Sequence, residues 1–262
     1  MVGTDAPTVQ NRASTLGGLG PQGWASIART TRKRDDVIIG SYNLWKNAAA
    51  HELESLVAEH SIDVLCLQEC DSSKLPPTIG ELQRGASTEK NRLGLAVYYR
   101  ESSYDSTDTA VFSLPKSIHD HVMSPGDERL LAMRLTDRES GEEVVVASFH
   151  AAPLTTVNAV RRRQIKAAHG FLADWAPRIP MLMVGDYNYP WFQGALLKQM
   201  GASGHEVRFS DAHTYKRYRY IRGHFDFVTA MAMHIESVAT LPKGASDHLP
   251  VLVKASTLPQ LA

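Results

Sequence analysis

The chain has 262 residues, of which 43% are hydrophobic and 21% charged, so it is long enough to bury a substantial core in a single domain. Its 28 basic and 28 acidic residues cancel to a formal net charge of zero. This balance excludes a protein that is held to nucleic acid or to a membrane by its overall charge, and any polyanion binding must come from a local patch.

The cysteines and the hydropathy pattern bear on where the protein works. Cys66 and Cys70 are too close in sequence to staple a fold, and Cys66 falls inside an apolar run, where a reduced thiol behaves as a small hydrophobe. The first thirty residues hold no apolar stretch of signal-peptide length, and no window approaches the roughly 18 to 20 apolar residues of a membrane span. We therefore expect a cytoplasmic monomer with no membrane partner.

The first part of the chain divides into a leader and a strand–helix–strand unit. Residues 1–34 are rich in Gly, Ser, Thr, Pro and Asn and lack periodicity, which predicts a disordered leader. Apolar runs at 37–43 and 63–69 predict strands, and the helical spacing of apolar residues within 47–60 predicts an amphipathic helix between them. Residues 71–92, with adjacent prolines and scattered glycines, predict a long loop.

The middle of the chain predicts an antiparallel sheet followed by a helix. Four strand candidates follow one another with no helix between them, at residues 93–100, 107–114, 129–136 and 143–150. Consecutive strands of this kind are expected to pair antiparallel. A long helix is then predicted over 156–175, and it leads to an apolar strand at 180–186.

The last third predicts short elements around an aromatic and basic segment. A short helix at 191–200 precedes a loop at 214–222, in which Tyr alternates with Arg and Lys. Three further strands are predicted near 224–230, 235–240 and 249–254, and residues 257–262 form a tail. Many strands, few helices and no strict alternation predict an α+β sandwich for the domain at 35–256.

Polar side chains stand where the predicted strands end. The segment 185–188 (Gly-Asp-Tyr-Asn) is the most informative, because a buried strand delivers an acid and an amide through a glycine turn. The set comprises Asn43, Glu69, His150, Asp186, Asn188, Asp226, Asp247 and His248. Each alone is ordinary, since a strand-end Asp is often a cap and a lone His is often structural. Together their carboxylate and amide oxygens suit Mg²⁺ or Mn²⁺, which bind carboxylates, waters and substrate phosphate.

In its motif order the chain resembles the endonuclease/exonuclease/phosphatase superfamily, which has the DNase I-like fold. The motifs are an early Asn43, Gln68-Glu69, a strand-end His150, Arg161 and Gln164 on one helix, Gly-Asp-x-Asn at 185–188, Asp226-Phe227 and Ser-Asp-His-x-Pro-Val at 246–251. They extend over about residues 36 to 256. The resemblance implies a four-layer α/β/β/α sandwich, in which two packed mixed, mainly antiparallel sheets are flanked by helices.

The resemblance also implies a metal site built from oxygen ligands. Glu69 matches the family's main metal-binding carboxylate. Asn43 and Asp247 match nearby oxygen ligands, or groups that hold Glu69 and its waters. The implied cofactor is Mg²⁺ or Mn²⁺.

The same resemblance implies roles for the remaining polar side chains. Asp186 matches the residue that orients or deprotonates the attacking water, and Asn188 the amide that fixes the phosphate or that water. On an extended chain, residues two apart point to the same side. His248 matches the imidazole that donates to the phosphate, and Asp226 the carboxylate that fixes its tautomer. His150 matches a second histidine at the phosphate or leaving oxygen.

The implied activity is metal-dependent hydrolysis of a phosphate ester, with a phosphodiesterase or nuclease as the leading prediction. One alternative is a small-molecule phosphatase or phosphodiesterase of the same fold. A second alternative is a non-catalytic binding platform, which is disfavoured because no catalytic position is substituted. Cys70-Asp71 follows Glu69 where apurinic-site repair members usually carry a Lys, and this counts against that subgroup.

The candidate substrate-binding residues are basic or aromatic. Tyr215, Arg217 and Arg219 belong to the 214–222 loop, whose composition suits stacking on bases and contact with phosphates, so nucleic acid is a candidate partner. A loop or strand whose tyrosines pack inward is an equal alternative. Arg161 opens a run of three arginines that is a candidate extension of a polyanion path, although its position three before Gln164 is more typical of a structural Arg.

Overall fold

The computed structural model describes residues 36–89, 93–116, 128–218 and 221–258, without the side chains of 216–218. The described strands are β1 (Asp36–Asn43), β2 (Val64–Cys70), β3 (Thr78–Ile79), β4 (Leu82–Ser87), β5 (Gly94–Arg100), β6 (Tyr104–Ser113), β7 (Glu128–Asp137), β8 (Glu143–His150), β9 (Met181–Asp186), β10 (Glu206–Phe209), β11 (Tyr215–Tyr218), β12 (Ile221–Gly223), β13 (Asp226–Met231), β14 (Met233–Thr240) and β15 (Val251–Thr257). The described helices are a 3₁₀ turn (Ala50–Glu52), α1 (Leu53–His60), α2 (Asn158–Trp175) and α3 (Gln193–Ala202). The predicted leader at 1–34 lies outside the described residues.

Two mixed sheets form the middle of the domain. The seven-stranded sheet has the order β14-β15-β1-β2-β5-β4-β3, and the six-stranded sheet has the order β10-β13-β9-β8-β7-β6. Each has one parallel pair, β1 with β2 and β8 with β9, and antiparallel neighbours on both sides of it. The strands β11 and β12 pair separately as a two-stranded ribbon.

Three apolar clusters stack these elements into layers. The cluster between the two sheets draws on both of them, with Ile39 and Val253 from one and Val146 and Val184 from the other. On the outer face of the seven-stranded sheet, α1 buries Leu53 and Val57. On the outer face of the six-stranded sheet, α2 and α3 bury residues that include Ile165, Leu172, Leu196 and Met200. The four-layer α/β/β/α sandwich is therefore confirmed.

The strand pairing brings the polar strand ends to one edge. Because β1 and β2 run parallel, Asn43 at the end of β1 pairs with Gln68, the neighbour of Glu69. In the other sheet the parallel register sets His150 opposite Asp186. The antiparallel strand β13 begins where β9 ends, with Asp226 opposite Asp186.

Several predicted elements differ from the observed ones. The loop predicted at 71–92 contains the strands β3 and β4, whose Ile79 and Leu82 are buried. These strands are short and interrupted by glycine and mixed polarity, so they show little periodicity. The predicted loop at 214–222 includes the β11–β12 ribbon. No strand was predicted at 206–209, where the structure has β10.

The state of the two cysteines and the character of the described helices match what the composition indicated. Cys66 and Cys70 are buried free thiols, and burial raises the pKa of Cys70 to about 12, so neither is poised to react. Within the described ranges, no helix is both long and apolar enough to cross a membrane. The cytoplasmic location and the monomeric state stay predictions.

Candidate active site at the sheet edge

Asp186 is the centre of the cluster at this edge. Its Oδ1 accepts a hydrogen bond from the backbone N–H of Asn188 at 2.9 Å, and its Oδ2 accepts from the side-chain amides of Asn188 at 3.0 Å and Asn43 at 3.1 Å. The Nε2 atoms of His150 and His248 lie 3.7 and 3.8 Å from the same Oδ2. Burial raises the pKa of Asp186 to about 7, although the nearby imidazole of His248 opposes the rise. A carboxylate with this pKa can take up a proton near neutral pH.

The backbone around Asp186 is not the extended chain that we expected. Asn188 has a φ of 49°, in the left-handed region. Its two hydrogen bonds to Asp186 therefore come from a tight turn and not from the two-residue repeat of a strand. The preceding Gly185 has a φ of 146°, and a Cβ added there would lie 2.1 Å from the carbonyl oxygen of Phe149. Glycine is required at this position by both conformation and space.

His248 and Asp226 form a buried ion pair beside Asp186. Nδ1 of His248 lies 2.7 Å from Oδ2 of Asp226, which leaves Nε2 directed toward Asp186. Burial alone would lower the pKa of His248, but the carboxylates of Asp226 and Asp186 outweigh it and raise the pKa to about 10. The imidazole is therefore protonated at neutral pH and can donate from Nε2.

Two hydroxyl groups hold this pair in place. The hydroxyl of Ser246 donates to the carbonyl of Asn43 at 2.7 Å and accepts from the backbone N–H of His248 at 3.1 Å. The hydroxyl oxygen of Thr214 accepts from the backbone N–H of Asp226 at 3.1 Å. Thr214 was not among the predicted residues, because a Thr 12 residues away from its partner carries no local signal.

Glu69 reaches the same edge with a more accessible carboxylate. Its side chain is 19% exposed, against 2% for Asp186. Its Oε2 accepts from the backbone N–H of Lys46 at 3.1 Å, and its Oε1 lies 3.9 Å from Nε2 of His150. A carboxylate held by a backbone amide and open on its other side fits a hard divalent cation.

The other two predicted metal ligands, Asn43 and Asp247, lie in different surroundings. The Oδ1 atom of Asn43 accepts from the backbone N–H of Trp45 at 3.0 Å, while its amide holds Asp186. Asp247 is half-buried next to His248. A further group of candidate ligands is present, because single donor atoms of Asp186, Asp226 and His248 all lie within 4.8 Å of one another.

The two glutamines of the sequence motifs act on the scaffold. Gln68 is buried between the sheets, and its amide donates to the hydroxyl of Ser148 at 2.9 Å. Gln164 on α2 accepts from the backbone N–H of Ala152 at 2.8 Å and donates to the carbonyl of Pro115 at 2.9 Å. Gln68 thus joins the two sheets beneath the site, and Gln164 ties the loop after β8 to α2.

The candidate substrate-binding residues lie in unlike surroundings. The ring of Tyr215 meets that of His248 edge-on, with centroids 4.9 Å apart. The guanidinium of Arg161 is buried and donates to the carbonyls of Pro153 and Thr156 at 2.8 and 2.6 Å, which favours a structural role. The side chain of Arg217 and all of Arg219 lie outside the described part of the chain.

Three aromatic rings back the site from the other face of the six-stranded sheet. Phe149, Tyr187 and Phe227 each neighbour a polar site residue in sequence, and all three belong to the apolar cluster on the outer face of this sheet. Tyr187 stacks on Phe227 at 3.8 Å and tilts against Phe149 at 4.8 Å. Its hydroxyl donates to the carbonyl of Met183 at 2.8 Å and lies 2.9 Å from the hydroxyl of Thr229. The rings fix the backbone that carries the polar side chains.

Known proteins resemble this chain in two respects, in a family sequence model and in the fold of solved structures. A family model described as the Endonuclease/Exonuclease/phosphatase family matches residues 40–248, a span that contains the edge cluster from Asn43 to His248. No curated protein matches the sequence significantly.

Solved structures share the fold at low sequence identity. An endonuclease/exonuclease/phosphatase from Bacteroides vulgatus is 15% identical with a TM-score of 0.70, covering 86% of this chain and 100% of that one. The catalytic domain of human Nocturnin with bound sulfate is 18% identical with a TM-score of 0.67, covering 85% and 94%. The D. rerio TDP2 complexed with a single-strand DNA product is 17% identical with a TM-score of 0.69, covering 85% and 99%.

Proposed function

The chain belongs to the endonuclease/exonuclease/phosphatase family of phosphate-ester hydrolases, and from that premise we propose that it cleaves a phosphodiester of a nucleic acid with the help of Mg²⁺ or Mn²⁺. The observation that carries the proposal is the convergence of Asp186, the Asp226–His248 pair, His150 and Glu69 at one sheet edge. These groups can accept a proton, donate a proton and hold a cation within a few ångströms of one another.

Asp186 orients the attacking water and takes its proton. Its carboxylate is fixed by hydrogen bonds from Asn188 and Asn43, so the acceptor oxygen is set before substrate arrives. Water attacks phosphorus in line with the leaving oxygen, a new P–O bond forms, and the old P–O bond breaks. A positioned base of this kind contributes on the order of 10² to 10⁴ in rate.

The two histidines supply donors next to Asp186. His248, kept protonated by Asp226, donates from Nε2 to a non-bridging phosphate oxygen. His150 gives a proton to the leaving oxygen. Both Nε2 atoms stand more than 3.5 Å from Oδ2 of Asp186, beyond ordinary hydrogen-bond distance.

The donor set at this edge fits a hard divalent cation. Glu69 would hold the ion, with Asp247 and Asn43 as nearby oxygen ligands or groups that position its waters. A bound Mg²⁺ or Mn²⁺ offsets negative charge on the phosphate and leaving group. The role of Asn43 that its contacts favour is to hold Asp186, because its oxygen already accepts from Trp45.

The β11–β12 ribbon supports a polymeric substrate. It begins at Tyr215, whose backbone pairs with that of His248, so the ribbon rises directly from the site. In the sequence, the segment 215–223 carries Lys216, Arg217, Arg219 and Arg222. A short segment with four basic residues next to a phosphoryl site suits a polyanion better than a small ester. D. rerio TDP2, which shares the fold, is complexed with a single-strand DNA product.

A substrate panel tests the proposal. The purified chain is incubated with Mg²⁺ or Mn²⁺ and single-stranded DNA, duplex DNA, RNA, bis-p-nitrophenyl phosphate or inositol phosphates. Cleavage of a polymer supports the nuclease. Activity on the model diester or inositol phosphates alone overturns the polymer assignment in favour of a small-ester enzyme, and ligand binding without turnover favours the binding platform.

Two site variants and two matched controls assign the activity to this edge. Asp186→Asn and His248→Ala should abolish metal-dependent cleavage while leaving the fold intact. The controls Asp174→Asn on α2 and His234→Ala on β14 change exposed residues of the same types and should keep full activity. Near wild-type turnover by either site variant would refute the assignment.

A further inference from the structure

A cleft lies between α2 and α3, outside the edge cluster. It has a volume of about 550 Å³. Its walls are Lys166, His169, Gly170 and Ala173 from α2, and Gln199, Met200, Ala202, Ser203 and His205 from α3 and the turn after it. The proposed reaction uses none of these residues. Two of them, His169 and His205, are buried, with 4% and 8% of their surface exposed.

The hydrogen bonds around His169 fix its tautomer. The hydroxyl of Tyr187 donates to the carbonyl of Met183, so the hydroxyl of Thr229, 2.9 Å away, must donate to Tyr187. The oxygen of Thr229 can then only accept from Nε2–H of His169, which lies 3.0 Å from it. The remaining nitrogen, Nδ1, is an acceptor with no hydrogen-bond partner among the described residues.

The same reasoning applies to His205. When the hydroxyl of Ser203 donates to the carbonyl of Met200 at 3.0 Å, its oxygen accepts from Nδ1–H of His205 at 3.1 Å. The Nε2 atom of His205 is then a second acceptor with no partner among the described residues. The two rings are neighbours, with centroids 3.9 Å apart and planes tilted by 57°.

Burial keeps both rings neutral. It lowers the pKa of His169 well below its ordinary value, with a further lowering from the neighbouring His205, and it lowers the pKa of His205 as well. A buried acceptor that makes no hydrogen bond costs about 1–3 kcal/mol. Two such nitrogens on adjacent rings, at a cleft, therefore call for a ligand that accepts lone pairs.

We infer that His169 and His205 form a binding site for a late first-row transition-metal cation such as Zn²⁺ or Cu²⁺. Neutral imidazole is a preferred ligand of these ions, and the second nitrogen of a ligating His ordinarily donates to an oxygen. Thr229 and Ser203 are those oxygens here. Solvent water can complete the coordination.

This site differs in chemistry from the edge cluster. The edge cluster offers mainly carboxylates, which suit Mg²⁺ and Mn²⁺, whereas the cleft offers two imidazoles and no carboxylate among its wall residues. Lys166 stands at the same cleft, but its side chain is exposed, so its ammonium can point into solvent. The inference is thus independent of the proposed nuclease activity.

Metal binding by the full, tag-free chain tests the inference. Equilibrium dialysis against Zn²⁺ in excess Mg²⁺, which competes for the carboxylate site, should show one fewer Zn²⁺ bound by His205→Phe than by the wild type. The variant keeps a ring against His169 but lacks the lone pair. His234→Phe on β14 replaces an exposed histidine and should bind as much Zn²⁺ as the wild type.

Two further readouts keep the test decisive. With Cu²⁺ in excess Mg²⁺, the paramagnetic resonance spectrum of the wild type should show coupling to the two imidazole nitrogens of the cleft, and His205→Phe should show coupling to fewer nitrogens. His169→Gln, which retains an N–H for Thr229, should lose the same ion if His205→Phe fails to fold. Equal Zn²⁺ stoichiometry and unchanged nitrogen coupling in folded variants overturn the inference. Mg²⁺-dependent cleavage, measured in parallel, reports on the edge cluster alone.

Discussion

The ring of Tyr187 stacks on that of Phe227, with centroids 3.8 Å apart and planes 16° apart, directly behind the edge cluster. Each ring is the sequence neighbour of a site carboxylate, Tyr187 of Asp186 and Phe227 of Asp226. The stack therefore ties the backbones of two adjacent strands at the point where their carboxylates must be held. Within the 185–188 segment, the Tyr sets the scaffold, and its polar neighbours carry the chemistry that we propose.

Removing the Tyr187 hydroxyl should weaken the fold more than it changes the chemistry. Tyr187→Phe removes one donor to Met183 and one acceptor for Thr229, both buried, so we expect a loss of about 1–3 kcal/mol in the free energy of unfolding. Denaturant titration measures it. Tyr189→Phe is the matched control, because its hydroxyl accepts from the partly exposed Arg162, and it should cost about 1 kcal/mol or less. Equal losses of stability in the two variants would refute the role given to the buried hydrogen bonds of the Tyr187 hydroxyl.

The Asp226–His248 pair predicts a pH signature. Asp226 is among the groups that raise the pKa of His248 to about 10, so His248 stays protonated well above its ordinary pKa of 6.5. In Asp226→Asn the proton leaves at lower pH, and the alkaline limb of kcat/KM should move to lower pH. The deficit relative to wild type should therefore be larger at alkaline pH than at pH 6.5. A deficit that is constant with pH would mean that Asp226 only supports the fold.

Glu69 predicts the metal dependence. Replacing its carboxylate with an amide in Glu69→Gln removes a charge from the proposed ion site, so the Mg²⁺ concentration for half-maximal cleavage should rise by more than about tenfold. Excess Mg²⁺ should restore part of the activity, and chelation by EDTA should abolish it in both proteins. Glu59→Gln on the exposed face of α1 should leave the Mg²⁺ titration unchanged. An unaltered titration for Glu69→Gln would place the ion elsewhere.

Much of the fold and of the candidate site could be predicted from local sequence patterns. An apolar run that ends in Asn43, Glu69 or His150 is visible without knowing its partners, because strand burial and the change to a polar side chain are properties of adjacent residues. The parallel pairing then brings these ends to one edge. Sheet topology could be expected only through the resemblance to a family.

Features that depend on distant partners could not be predicted. The hydroxyl of Tyr187 meets that of Thr229, 42 residues along the chain, only because β13 pairs with β9. The same holds for Thr229 and His169, which are 60 residues apart. The short strands β3 and β4 lack a periodic pattern, and the left-handed backbone of Asn188 leaves no mark in a chain that otherwise reads as extended.

The backbone conformation of Gly185 predicts a measurable loss of stability when the residue is replaced. Gly185→Ala would place a Cβ 2.1 Å from the carbonyl oxygen of Phe149 and force alanine into a φ of 146°, so we expect a loss of about 1–3 kcal/mol or more in the free energy of unfolding. Gly201→Ala is the opposite case, because a Cβ there meets nothing within 4 Å in helix α3, and it should stabilise by about 0.4–1 kcal/mol. Since Phe149 precedes His150 and Gly185 precedes Asp186, the first variant should also lower kcat at saturating Mg²⁺. Thermal unfolding and single-turnover cleavage of both proteins check this, and equal stability of the two would contradict the close approach of β9 to β8.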